Sequence, residues 1–101
     1  MSKPSFGRHM DEDARLVMLQ ELASQTDYRL TEIILHRVIE AYGHNRSRDY
    51  VKTQIRAMAE LGAVQIVQGD PVMIVEIVQA GIDHVLRRKV VEGIARPTAG
   101  V

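Results

Sequence analysis

The hydrophobic periodicity of this chain changes at Gly62, and that change limits the folds that it can adopt. Before Gly62, apolar residues recur at helical spacing. We predict helices over about 12–24, 32–42 and 48–61. After Gly62, "AVQIVQ" alternates, "GDP" signals a turn and "VMIVEIV" is a β-branched run, which together predict a β-hairpin. Helical spacing then returns over about 79–91.

The two ends of the chain lack this periodicity. We predict a flexible arm over residues 1–10, one folded domain over 11–92 and an irregular C-terminal tail over 93–101. A single modest core fits 101 residues of which 46% are hydrophobic. No apolar run approaches the ~18 residues of a membrane span, and the first residues lack the apolar core of a signal peptide. We therefore expect a cytoplasmic protein with no membrane partner.

Composition narrows the classes of function. Acidic and basic residues balance at 13 each, so only a local basic patch, and not the whole surface, is suited to nucleic acid. The absence of cysteine excludes disulfides, thiol chemistry and cysteine-based zinc sites. The sequence has no nucleophile elbow, phosphate-cradling glycine loop or paired-carboxylate pattern. We therefore expect no enzyme activity, no cofactor and no metal.

The order of the elements is typical of one DNA-binding fold. A helix, a short extended piece ("TDYRL"), two helices joined by "HNRS", a hairpin and a last helix follow one another. The predicted fold class is mainly α with a β-hairpin wing, that is, a winged helix-turn-helix. In that fold one face of the third helix packs on the domain and the other enters the major groove.

The residues at the start of the third helix form the candidate DNA-binding site, and the predicted partner is double-stranded DNA. Basic groups there suit phosphates, and the shorter polar groups suit base edges. The predicted DNA-binding residues are Arg46, Ser47, Arg48, Asp49, Lys52, Thr53 and Arg56. An ordinary solvated basic face is the alternative. The wing also weakens the DNA hypothesis, since it carries Asp70 and no arginine or lysine for the minor groove.

A surplus of apolar residues predicts a homodimer. The helix over 79–91 carries a narrow apolar stripe, the width that a helix–helix interface needs. The predicted interface residues are Ile82, Val85, Leu86 and Val90. The alternative is that this helix and the wing cover each other.

Three sequence segments resemble a known family. "YRLTE", "GHNRSRDYV" and the late "G…ARP" ending are similar to small winged-helix proteins of Mu-like prophages, loosely labelled ArsR-type transcriptional regulators. The resemblance covers roughly residues 14–98 and implies DNA binding in phage or prophage gene control. It does not extend to metal sensing, because no cysteine is present. Two alternatives stay open: a winged-helix protein-interaction module and a phage accessory factor that binds DNA without sequence preference.

Overall fold

The computed structural model describes residues 4–98, in which four helices pack around a small three-stranded antiparallel sheet. The elements are α1 (Pro4–Ala23), β1 (Arg29–Thr31), α2 (Glu32–Ala41), α3 (Arg48–Glu60), β2 (Val64–Gln68), β3 (Ile74–Ile77) and α4 (Gln79–Val85). The predicted order of helices and strands is confirmed, and "TDYRL" supplies a third strand. With about half of the chain helical, the fold is α+β.

The strand order is β1-β3-β2, so the last strand in sequence lies in the centre. Cross-strand register places Val64 opposite Ile77 and Ile66 opposite Val75, with Leu30 on the other side of Val75. Val64, Val75 and Ile77 are buried against the helices. The core is aliphatic and includes Leu16, Val17, Met18, Leu19, Leu22, Leu35, Ile39, Val51, Ile55 and Met58.

Side-chain caps fix where α2 and α3 begin. The hydroxyl oxygen of Thr31 accepts a hydrogen bond from the amide of Ile34 (3.2 Å), and that of Ser47 accepts one from the amide of Tyr50 (3.0 Å). Each cap satisfies one of the amides that a helix start leaves unpaired. The Ser47 cap also marks the point at which the connection between α2 and α3 ends.

The helices α2, α3 and α4 all end in the same motif. The second residue after each helix has a left-handed backbone, and the following amide bonds a carbonyl five residues earlier, which defines a Schellman motif. The amide–carbonyl pairs are His44–Ile39 (2.9 Å), Ala63–Met58 (3.0 Å) and Arg88–Asp83 (2.8 Å). The left-handed residue is Gly43 (φ +95°) after α2, Gly62 (φ +83°) after α3 and Arg87 (φ +63°) after α4. Two ends use glycine and the third uses arginine.

Two predicted boundaries are wrong. The first helix begins at Pro4, so residues 4–10 are helical and not an arm; residues 1–3 lie outside the described part. The acids at its expected start instead accept hydrogen bonds from distant side chains: Asp11 from Tyr50 and Asp13 from His44. The last helix ends at Val85 and not near 91, because the Schellman motif at Arg87 turns the chain.

The predicted C-terminal tail is irregular but packed as far as residue 95. Ile94 is buried, the amide of Ala95 bonds the carbonyl of Glu12 (3.1 Å), and the guanidinium of Arg15 donates to the carbonyl of Gly93 (2.7 Å). The segment after α4 therefore belongs to the folded unit; residues 99–101 lie outside the described part.

Candidate nucleic-acid interface

The connection between α2 and α3 is held by two histidines. The Nε2–H of His36 donates to the carbonyl of Arg46 (2.7 Å). The imidazole of His44 is buried, and its Nε2 lies 2.7 Å from the Asp13 carboxylate of α1. These bonds tie both ends of the turn to rigid elements, so the start of α3 has a fixed position. Nε2 of His36 also lies 3.8 Å from the carboxylate of Glu40, but its shorter contact is to the turn.

A buried carboxylate lies beneath the basic face of α3. Glu32 is fully buried, and its Oε1 accepts a hydrogen bond from the amide of Met73 (2.8 Å). Its Oε2 accepts from the guanidinium of Arg48 (2.8 Å) and lies 3.7 Å from the Lys52 ammonium. Glu32 therefore joins the start of α2, the first two turns of α3 and the residue before β3. The sequence alone does not reveal this cluster, because the partners of Glu32 lie 16 and 41 residues away from it along the chain.

The ionisation of Glu32 follows from these contacts. Burial by itself raises the pKa of the Glu32 carboxyl, but the Met73 amide bond and the two cations outweigh burial and hold the pKa below its ordinary value. The carboxylate is consequently charged at neutral pH and orients Arg48 and Lys52.

The seven predicted DNA-binding residues lie in the turn before α3 and along its first three turns. Their polar groups differ in what they contact. Arg48 and Lys52 are shared with Glu32, although the Arg48 side chain stays 49% exposed. The hydroxyl of Ser47 is used as the helix cap, and that of Thr53 donates to the carbonyl of Asp49 (3.0 Å).

Two cations of the set remain unpaired. The guanidinium of Arg46 stacks on the ring of Tyr50, 3.8 Å from its centroid. Arg46 and Arg56 are exposed and form no ion pair within residues 4–98. These two side chains are the ones free to bind an external phosphate, and we call them the free α3 cations.

Tyr50 anchors the same helix to α1. Its hydroxyl donates to the carboxylate of Asp11. Burial, followed by this hydrogen bond and the charge of Asp11, raises the pKa of Tyr50 to about 12. The hydroxyl stays protonated at neutral pH and keeps its partner, so the aromatic platform under Arg46 is fixed.

The hairpin carries no cation. Between Val64 and Ile77 there is no arginine or lysine, and Asp70 at the tip is exposed. The strand β2 is one of the two edge strands of the sheet, and its residues Ile66 and Val67 are exposed. The electrostatics of the hairpin do not favour an anionic minor groove.

The predicted dimer residues do not form one helical stripe. Ile82 and Val85 pack against the protein's own core, while Leu86 (52% exposed) and Val90 (48% exposed) lie beyond the end of α4. The expected four-residue seam on one helix is therefore wrong, because α4 is too short to carry it. Of these four residues, Leu86 and Val90 are the exposed ones.

Within residues 4–98, no helix is both long and apolar enough to cross a membrane. No three histidine, aspartate or glutamate side chains there come together as a possible metal site.

The chain is similar to two proteins from a phage and a bacterium. It is 36% identical over 88 residues to the uncharacterized protein gp26 of Escherichia phage Mu, a match that spans 87% of this chain and 91% of gp26. It is 37% identical over 62 residues to an uncharacterized protein of Haemophilus influenzae, spanning 61% of this chain and 60% of that protein. No family model matches the chain, and no solved structure matches it.

Proposed function

The chain belongs to the same family as gp26 of phage Mu, as its resemblance to Mu-like prophage proteins predicts, and we propose that it is a winged helix-turn-helix protein that binds double-stranded DNA through α3. The order of elements and the β1-β3-β2 sheet support this assignment. In it, α2 and α3 form the helix-turn-helix and the β2–β3 hairpin is the wing. A role in phage or prophage transcription is part of the proposal.

The observation that carries the proposal is the set of basic residues in the turn before α3 and along its first three turns. Arg46 and Arg56 are exposed and unpaired within the described chain, and Arg48 keeps about half of its side chain in solvent while Glu32 orients it. Fixed cations at a helix start suit phosphate contacts, which are positioned by charge and by the helix dipole. Because Glu32 neutralises part of the positive charge of Arg48 and Lys52, the free α3 cations supply most of the attraction to DNA.

A homodimer is part of the same proposal. One copy presents few free cations, and affinity for DNA grows with the number of phosphates contacted. Two copies related by a two-fold axis place two α3 helices about 34 Å apart, one turn of DNA. Leu86 and Val90 are the exposed apolar residues after α4 that we assign to the contact.

The test is the salt dependence of duplex binding. Fluorescence anisotropy with a labelled duplex is measured from low to high salt for the parent and for the double variant Arg46→Ala/Arg56→Ala. Losing two phosphate contacts lowers the slope of log affinity against log salt by about 1.8. Lys89→Ala, which removes an exposed cation elsewhere, is the control and leaves the slope unchanged. An equal slope in the parent and the double variant refutes the α3 assignment.

Competition separates a regulator from a non-specific DNA-binding factor. The labelled duplex carries phage DNA that flanks the gene, and the competitor is random duplex of the same length. A specific regulator retains the labelled duplex at a large excess of competitor, since specific sites bind roughly 10³-fold or more tightly than random DNA. Equal displacement by both duplexes supports the non-specific factor.

A second candidate function rests on the wing. Its edge strand β2 exposes Ile66 and Val67 and the hairpin carries no cation, which favours a protein partner over DNA at that edge. A parent protein that fails to bind any duplex at low salt supports this protein-interaction module over DNA binding.

A further inference from the structure

A small pocket with a basic rim lies after α4, away from the residues assigned to DNA. We call it the C-terminal pocket; its volume is about 140 Å³ and it is lined by His84, Arg87, Lys89, Val90, Arg96 and Pro97. No carboxylate lines it. Its volume is below the ~300 Å³ at which pockets for drug-sized ligands begin, so it suits one small group and not a whole cofactor.

The cations of this pocket have few internal partners. Arg87 and Lys89 form no ion pair within the described part of the chain. Arg96 approaches Glu92 at 3.9 Å, but both side chains are largely exposed, so the pair is weak. Three positively charged side chains thus line one concavity, and ion pairs neutralise little of their charge, so the local potential there favours an anion.

Arg87 occupies a backbone position that the same chain elsewhere gives to glycine. The Schellman motifs after α2 and α3 place Gly43 and Gly62 at the left-handed residue, whereas the equivalent motif after α4 places Arg87 there. A side chain at positive φ is strained, and strained residues cluster at sites where the side chain has a role. An arginine at this left-handed position points to a use for its guanidinium.

The opposite wall of the pocket is held by His84. The amide of Val91 donates to Nδ1 of His84 (3.0 Å), so Nε2 carries the hydrogen and donates to the carbonyl of Ala95 (2.8 Å). Both ring nitrogens are engaged, and the ring is fully buried. His84 therefore fixes the segment that carries Arg96 and Pro97 against α4, and the pocket is pre-formed.

From these observations we infer that the C-terminal pocket binds a phosphate group carried by a small molecule. Arginine recognises phosphate through charge-assisted, often bidentate hydrogen bonds, and Arg87 and Arg96 offer two such groups with Lys89 as a third cation. DNA instead presents a continuous row of phosphates, about one charge per 1.7 Å of its axis, which extended surfaces bind. A single concavity selects an isolated phosphate. This inference does not depend on the assignment of α3.

The experiment is a titration of the protein with inorganic phosphate, in which NMR records the chemical shifts of the backbone amides. The pH is constant, and sodium chloride keeps the ionic strength constant. We expect saturable shifts at residues 84–96. Arg87→Gly removes the guanidinium and also the backbone strain, so the variant folds, and phosphate binding weakens about tenfold. Lys89→Ala is a second variant that weakens binding. Arg37→Ala, which removes an exposed cation of α2 that belongs to neither site, is the matched control and binds as the parent does.

Three results overturn the inference. Shifts that never saturate, or that appear equally on α3, indicate general attraction of anions to exposed cations. Unchanged phosphate affinity in both Arg87→Gly and Lys89→Ala removes these side chains from the site. Shifts at 84–96 with a DNA duplex, but not with inorganic phosphate, make the pocket a contact for DNA and not for a small molecule.

Discussion

The start of α3 and the C-terminal pocket are both basic, but they hold their cations in different ways. On α3, a buried carboxylate beneath the helix, Glu32, engages Arg48 and Lys52. Around the pocket, the structure provides no buried carboxylate, and Arg87 has a left-handed backbone. The first region therefore uses part of its positive charge to hold the fold together, and the second directs its charge to solvent.

This difference shows that a cation in a sequence motif can have either role. Arg48 and Arg56 both belong to the predicted DNA-binding set, yet one bonds a buried acid and the other is free. Replacing Arg48 by alanine mixes a loss of stability with a loss of external binding, since Glu32 then loses its strongest ionic partner. Variants of the free α3 cations report on binding alone, because isolated exposed charges contribute little to stability.

The largest expected effect concerns Glu32. Glu32→Ala removes the acceptor for the Met73 amide and the partner of two cations, so the free energy of unfolding falls by about 2 kcal/mol. Glu32→Gln can keep the Met73 bond and is expected to lose less. Urea denaturation of both variants and the parent measures the difference. An alanine variant as stable as the parent shows that Glu32 does not hold the α2–α3 corner.

The pH dependence of stability tests the same carboxylate. The pKa of Glu32 is lowered in the folded protein, so its contribution is present above the ordinary carboxyl pKa and is lost as the pH falls through the depressed value. In Glu32→Gln this part of the acid destabilisation is absent. Denaturation midpoints of the two proteins are therefore expected to converge on acidification; curves that stay parallel contradict the assignment.

The next largest effect on stability concerns the residues with a left-handed backbone after α2 and α4. Substitutions at these two positions are expected to change stability in opposite directions. Gly43→Ala places a side chain at φ +95°, where its Cβ has no atom within 4 Å, so only backbone strain is added and stability falls by about 1 kcal/mol. Arg87→Gly relieves the same kind of strain and is expected to raise stability by up to about 1 kcal/mol. Thermal unfolding of the parent and of both variants measures these changes. If Arg87→Gly is less stable than the parent, the backbone at Arg87 is not strained.

The fold could be predicted where local signals are strong. Thr31, Ser47, Gly43 and Gly62 cap helices that the periodicity had already indicated, and their positions agree with the structure. The end of α4 carries arginine at the position where such ends usually have glycine, so no glycine in the sequence marks this end and the predicted helix is too long.

The site could be predicted less completely. Glu32 bonds Arg48 and Met73, which lie 16 and 41 residues away along the chain, and such contacts exist only after folding. Asp11 and Asp13 resemble a helix start in the sequence but accept hydrogen bonds from Tyr50 and His44. The C-terminal pocket could not be predicted for the same reason. It forms because His84 bonds Val91 and Ala95, and periodicity does not indicate that these residues lie against α4.

The smallest expected effect on stability comes from Leu86→Glu. Leu86 is exposed after α4, so the folded monomer loses at most about 0.5 kcal/mol. If Leu86 and Val90 form the contact between two copies, the charge disrupts the dimer. Light scattering at micromolar concentration checks both proteins. A monomeric parent, or a variant that remains dimeric, removes the dimer from the account.

The most direct test of the central claim, that α3 is the DNA-binding element, is one salt titration with two double variants. Duplex binding is measured by anisotropy for the parent, for Arg46→Ala/Arg56→Ala and for Arg87→Gly/Lys89→Ala, which remove two cations from each region. We expect a salt slope lower by about 1.8 for the α3 pair and an unchanged slope for the pocket pair. An unchanged slope for the α3 pair, or a fall of the same size for both pairs, contradicts it.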